Sequence, residues 1–183
     1  MSERVGPTPA FYFDLASPEA YLSAERILQT MPVAVEWVPV RIAAAPVDVD
    51  RLEATARERG LQPLRWPEPF PFDSTFAMRV ATFAKQVGRT VAFALAAFRQ
   101  AYAGGRSLAL ADNVLVAASA CEMHPAAILK AVDTRLVAGA LDRATALAAE
   151  RGVRATPAVW TPGEVFHGDA SLEAAAQALA VRA

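Results

Sequence analysis

Three places in this sequence combine residue type and spacing in a way that could do chemistry: Ser17-Pro18, Thr156-Pro157 and Gly168-Asp169. Ser17 directly follows the apolar run Phe11–Ala16, and serine with proline after it is a strong helix-start signal. The N–H groups left free at such a start are partly positive and welcome an anion, a thiolate included. Ser17 therefore reads either as a plain helix cap or as a hydroxyl offered to an anionic ligand. Thr156-Pro157 opens a strand, where proline is tolerated only at an edge or first position. Asp169 reads as the N-cap of the last helix.

Other polar residues are weaker candidates. Arg79 could fork onto a substrate carboxylate or simply sit exposed on its helix, and Asp73 stands at that helix's entrance. Arg41 and Arg65 are further cations with less support. Of the two histidines, His124 precedes a helix-starting proline and His167 lies beside Gly168, where it reads as a bystander or as an imidazole that could titrate near the cleft. Neither stands at motif spacing from Ser17, so a nucleophilic triad is unsupported. Two separated histidines and one cysteine, Cys121, make a structural zinc site improbable, so no metal is expected. A lone cysteine also excludes an intrachain disulfide or a Cys-x-x-Cys pair, and Cys121 reads as packing. No glycine-rich phosphate loop is present.

Composition narrows the partners. A net charge of −1 argues against nucleic acid, which needs a basic excess. No uncharged apolar run reaches the roughly 18–20 residues of a membrane span. The start, MSERVGPTP, lacks the apolar core of a signal peptide, so a soluble cytoplasmic protein is expected. With 54% hydrophobic residues, 183 residues suffice for one well-filled globular unit.

The elements that must position these residues follow from periodicity. A strand at about Ala10–Leu15 feeds a helix at about Pro18–Gln29, and a second strand runs over Val33–Val40. This βαβ start favours a parallel pair with a right-handed crossover. A helix is expected at Val49–Arg59, ended by Gly60. The alternating prolines of Trp66–Phe72 then forbid both helix and central strand. Helices follow at about Thr75–Val87 (capped by Asp73 or Ser74), Thr90–Tyr102, Asp112–Glu122, Pro125–Lys130 and Thr134–Arg151. Ala158–Trp160 and Glu164–Phe166 read as strands, and Ala170–Val181 as the last helix.

The segment FYFDLASPEAYL resembles the opening of the 2-hydroxychromene-2-carboxylate isomerases and kappa-class glutathione transferases, relatives of DsbA in the thioredoxin-like superfamily. There a Ser-Pro-x-x stands where redox relatives carry Cys-Pro-x-Cys. The resemblance implies an α/β, thioredoxin-like four-stranded sheet (βαβ…ββα) over residues 1–44 and 149–183, with an all-helical insertion at 45–148. GVRATPAVW is similar to the family's cis-proline segment, which implies that Pro157 is cis and that the Thr156 backbone pairs with glutathione. FHGDASL is similar to the stretch that binds the γ-glutamyl end, implying roles for Gly168 and Asp169. Ala170 and Ser171 fall where the family has an acid and an arginine. FPFDS followed by AMR is similar to the mouth of the family's helical block, implying substrate contacts for Asp73 and Arg79. The segment between Val40 and Trp66 is shorter than in typical members.

The activity so implied is glutathione-dependent isomerisation or transfer on a small conjugated or aromatic acid, with Ser17 donating to the sulfur of glutathione. Ala20 at the second cysteine position leaves no resolving thiol for disulfide oxidation. Glu19, in the helix's first turn, is expected to face solvent. The competing reading is a non-catalytic thioredoxin-like binding or scaffold protein. Family members are commonly dimers, so a homodimer is expected, with exposed aromatic rings of the WPEPFPF loop suiting an interface.

Overall fold

The computed structural model describes residues 7–42 and 46–181. The expected boundary between residues 44 and 45 lies outside them. Four short strands form one sheet in the order β2-β1-β3-β4: β1 (Ala10–Phe13), β2 (Glu36–Pro39), β3 (Ala158–Thr161) and β4 (Glu164–His167). β1 runs parallel to β2 and antiparallel to β3, with Phe11 opposite both Trp37 and Val159. Every residue of β1 is buried because both faces of the sheet are covered, which is why its sequence is apolar without alternation. Phe11 and Phe13 pack with Trp37 on one face, at centroid distances of 5.0 and 5.9 Å. Ala10 and Tyr12 pack with Val38, Val40 and Ala148 on the other. Pro39 lies in an edge strand, where its missing N–H is tolerated.

Between β2 and β3 the regular elements are all helical: α3 (Val49–Glu58), α4 (Thr75–Gln86), α5 (Thr90–Phe98) with a π-helical turn at Arg99–Ala103, α6 (Ala111–Ser119), α7 (Pro125–Val132) and α8 (Arg135–Glu150). The chain is thus an α/β thioredoxin-like sheet with a helical insertion. The rings of the WPEPFPF segment turn inward: Trp66 and Phe70 meet at 5.1 Å, Trp66 donates to Glu53 at 2.8 Å, and Phe72 is buried. The exposed aromatic surface expected there does not exist.

The helix expected over Pro18–Gln29 is broken. α1 covers Pro18–Ala24 and α2 only Ile27–Thr30. The break falls at Arg26 (φ −125°), whose guanidinium reaches Asp169 and Glu173 from the far end of the chain. At the C-terminal end Asp169 begins a 3-10 turn, Asp169–Ser171, and α9 (Leu172–Ala180) starts after Ser171. Asp169 is therefore not the cap of the last helix. At the entrance to α4 the cap position belongs to Ser74, but its hydroxyl bonds elsewhere, and Asp73 accepts the Thr75 N–H instead, at 2.9 Å.

Candidate active site

Ser17 sits at the turn between β1 and α1, held by its own backbone: its N–H donates to the Asp14 carbonyl at 3.0 Å. Its hydroxyl accepts the Ala20 N–H at 3.2 Å, as an N-cap should, and donates to the carbonyl of Thr156 at 3.1 Å. Thr156–Pro157 is a cis peptide, and the Pro157 carbonyl accepts from Gly168 N–H at 2.8 Å. Ser17, Thr156, Pro157, Gly168 and Asp169 are thereby brought to one place. Gly168, at φ +81°, is where a left-handed backbone is required. Thr156 is buried and its own hydroxyl has no partner among the described residues.

A cavity of about 260 Å³ opens beside Ser17. Phe70, Phe72, Ile42 and Val47 form apolar walls, and Asp14 and Arg41 supply charge. Asp14 is buried. Its Oδ1 accepts the Ala16 N–H at 2.9 Å and the Ser74 hydroxyl at 2.7 Å, while Oδ2 lies 3.8 Å from Arg41 Nε. Burial pushes its carboxyl above the usual value, opposed by these two hydrogen bonds and by Arg41. Arg41 also faces Asp73 at 3.7 Å and bonds the Thr75 hydroxyl. The cation of the cavity is therefore Arg41. Arg79, half-buried on α4, is not among the cavity's lining residues, and Asp73 enters only through Arg41.

The other side of the Ser17–Thr156 junction is filled from within. Glu19 does not face solvent: its Oε1 accepts the Asp169 N–H at 3.1 Å, and Arg51 lies 3.5 Å from Oε2. The same oxygen would stand 3.3 Å from a Cβ at Gly168. Between Glu19, Arg51 and Thr156 only about 10 Å³ remains, room for no more than a water. The Asp169 carboxylate is buried and fully engaged. Ser23 Oγ donates to it at 3.1 Å, Arg26 Nε at 3.2 Å, and Arg59 grips both oxygens. Burial works to raise its pKa, but Arg59 and Arg26 outweigh it and hold the carboxyl below the usual range. His167 is a bystander, exposed and accepting the Arg154 N–H at 3.0 Å. His124 caps α7.

Asp14, Ser23, Arg26 and Arg59 bond to the candidate residues though sequence reasoning did not single them out, and Ser74, read only as a helix cap, bonds Asp14. Asp14 carried a signal, since a carboxylate ending a fully apolar strand must be bonded or functional. The partners of Asp169 carried none, because they are scattered over the chain.

The description "DSBA-like thioredoxin domain" matches this chain over residues 10–180. The chain belongs to that family. Among solved structures this DSBA-like chain resembles a 2-hydroxychromene-2-carboxylate isomerase, at 18% identity and a TM-score of 0.81 over 95% of each chain. It resembles a probable DsbA oxidoreductase from Streptomyces coelicolor at 20% identity and a TM-score of 0.76, covering 94% and 88%. It is also similar to the cytosolic disulfide reductase DsbM from Pseudomonas aeruginosa with GSH, at 14% identity and a TM-score of 0.68, covering 97% and 100%. These likenesses establish the fold. No curated protein matches.

Among the described residues no three His, Cys, Asp or Glu gather to hold a metal, and no helix is long and apolar enough to cross a membrane. Glutathione does not fit the residues as they stand. The resemblance would bring a γ-glutamyl group to Asp169, but Arg26, Arg59 and Ser23 already hold its carboxylate and Glu19 its N–H. The Thr156 backbone, which the resemblance pairs with glutathione, has its carbonyl engaged by the Ser17 hydroxyl.

Proposed function

We propose that this DSBA-like chain is an isomerase-type enzyme acting on a small conjugated or aromatic acid bound beside Ser17. The observation that carries the reading is the Ser17 hydroxyl meeting the Thr156 carbonyl at the rim of a cavity with aromatic walls. Phe70 and Phe72 suit a planar unsaturated body, and Arg41 suits a carboxylate. The Ser17 hydroxyl, able to turn from Thr156 toward the cavity, can donate to an oxygen on which negative charge develops. Ser17 and Ala20 provide no thiol pair, which favours isomerisation over disulfide exchange. The isomerase of similar fold acts, by its name, on an acid of this kind.

Incubation of the full chain with 2-hydroxychromene-2-carboxylate, followed by absorbance with and without added glutathione, tests this. Acceleration above the buffer rate is expected, and no acceleration in either case contradicts it. The locked Asp169 favours a second reading, a binding protein without catalysis. That reading requires calorimetric binding of the same acid with no turnover.

A further inference from the structure

Within the cavity, Arg41 and Asp14 form an unusual pair. Arg41 holds two carboxylates at arm's length, 3.8 Å from Asp14 and 3.7 Å from Asp73, both beyond hydrogen-bond distance. Among the described residues only one of its guanidinium nitrogens makes a hydrogen bond, to Thr75, while its backbone N–H donates to the Thr145 hydroxyl at 3.0 Å. The side chain is 40% exposed, so its remaining N–H groups are available to a guest. Asp14 is just as asymmetric: Oδ1 accepts two hydrogen bonds, and among the described residues Oδ2 has only the distant guanidinium.

We propose that Arg41 receives the carboxylate of a small conjugated acid and that Asp14 takes up a proton from solvent as the acid binds. The inference rests on the reading of the cavity as a substrate site. A carboxylate forked onto Arg41 withdraws the cation that now favours ionised Asp14 and brings a second negative charge beside it. Two carboxylates sharing one site cannot both stay ionised at low cost. The other groups facing Asp14 do not relieve this. Asp73, on the α4 entrance, is a further anion. Ser74 already donates, and Tyr102, buried on the π-helical turn, spends its hydroxyl on the Leu15 carbonyl at 3.2 Å. The proton therefore settles on Oδ2, the oxygen with no hydrogen bond, where it can be donated to the guest. Such a proton, held beside the reacting molecule, makes Asp14 a general acid for the isomerisation.

Titration calorimetry of the full chain with trans-cinnamate as the probe tests the proposal. It is run near pH ~8 in two buffers of different ionisation enthalpy, so that proton uptake appears as a difference in heat. Wild type is expected to bind with uptake approaching one proton. Asp14→Asn keeps both Oδ1 bonds and is expected to bind without uptake. Arg41→Ala is expected to weaken binding roughly tenfold or more. Binding by wild type without uptake, or uptake that persists in Asp14→Asn, overturns the proposal while leaving the cavity a substrate site. Absence of cinnamate binding overturns both. Uptake with cinnamate but no turnover of 2-hydroxychromene-2-carboxylate supports the Arg41–Asp14 site and removes the isomerase reading.

Discussion

Replacing Asp169 by alanine is expected to destabilise the fold by about 3 kcal/mol, the low end of what breaking a buried ion pair costs. The change takes their shared anion from Arg26 and Arg59, at 19% and 28% exposure, leaving Arg26 with the Glu173 carboxylate, and leaves the Ser23 hydroxyl buried without its acceptor. Partial exposure of the two arginines keeps the loss from the top of that range. Asp169 joins the break after α1, the end of α3 and the start of the C-terminal unit, so its loss loosens three segments together. The pH dependence has a definite sign. A carboxyl held below its ordinary value in the folded state stabilises above that value, and the contribution fades as pH falls through the folded pKa. Asp14, raised by burial, works the other way: its contribution is fullest at low pH and is lost as pH rises through its folded pKa. Urea unfolding followed from about pH 3 to pH 7 should therefore show Asp169→Ala with a shallower acid limb than wild type below about pH 4, the remainder belonging to Asp73 and Glu173, which are also held low. An unchanged acid limb, or a loss under about 1 kcal/mol, contradicts the assigned role.

Removing Glu19 is expected to change glutathione binding more than any other single substitution. In the wild type the Glu19 carboxylate occupies the Asp169 N–H and adds negative charge beside Thr156. A γ-glutamyl carboxylate would have to displace one anion and approach another. Glu19→Ala frees the N–H and leaves Arg51 without its partner, turning a filled anion site into an open one. Wild type should give little heat with millimolar glutathione. Glu19→Ala should bind at least roughly tenfold more tightly, corresponding to one charge-assisted hydrogen bond. Glu19→Gln, which keeps an acceptor for the N–H but no charge, should fall between them. Equal affinity in all three proteins would show that Glu19 is not what closes the site.

What the sequence revealed and what it hid divide along the range of the interactions. The apolar run of β1, the Ser17-Pro18 start and the Gly60 stop are local signals: β1 begins at Ala10, α1 at Pro18, and α3 ends just before Gly60, although β1 stops at Phe13 and the first helix breaks after Ala24. The Ser17–Thr156 meeting, 139 residues apart, was legible only through resemblance to a family in which the two turns adjoin. Glu19 was misplaced because an acid in a helix's first turn suits solvent and dipole alike, whereas its partner is an N–H 150 residues away. The same holds for Arg26, whose ties to Asp169 and Glu173 accompany a break that helix propensity cannot foresee. Arg41 outranks Arg79 in the cavity for a geometric reason. β2 ends at Pro39, two residues before Arg41, which lines the cavity, while Arg79 lies on α4 and is not among the lining residues.

The central claim is that the hydroxyl of Ser17 acts on a substrate and does not merely hold a helix end. Ser17→Ala tests it when turnover of 2-hydroxychromene-2-carboxylate and thermal unfolding are measured on the same preparation. The account predicts a rate lowered about 100-fold or more, as for loss of a charge-stabilising donor, beside a stability loss of only about 0.5–2 kcal/mol. A variant that turns over at the wild-type rate, or that loses activity only in proportion to its unfolded fraction, contradicts it.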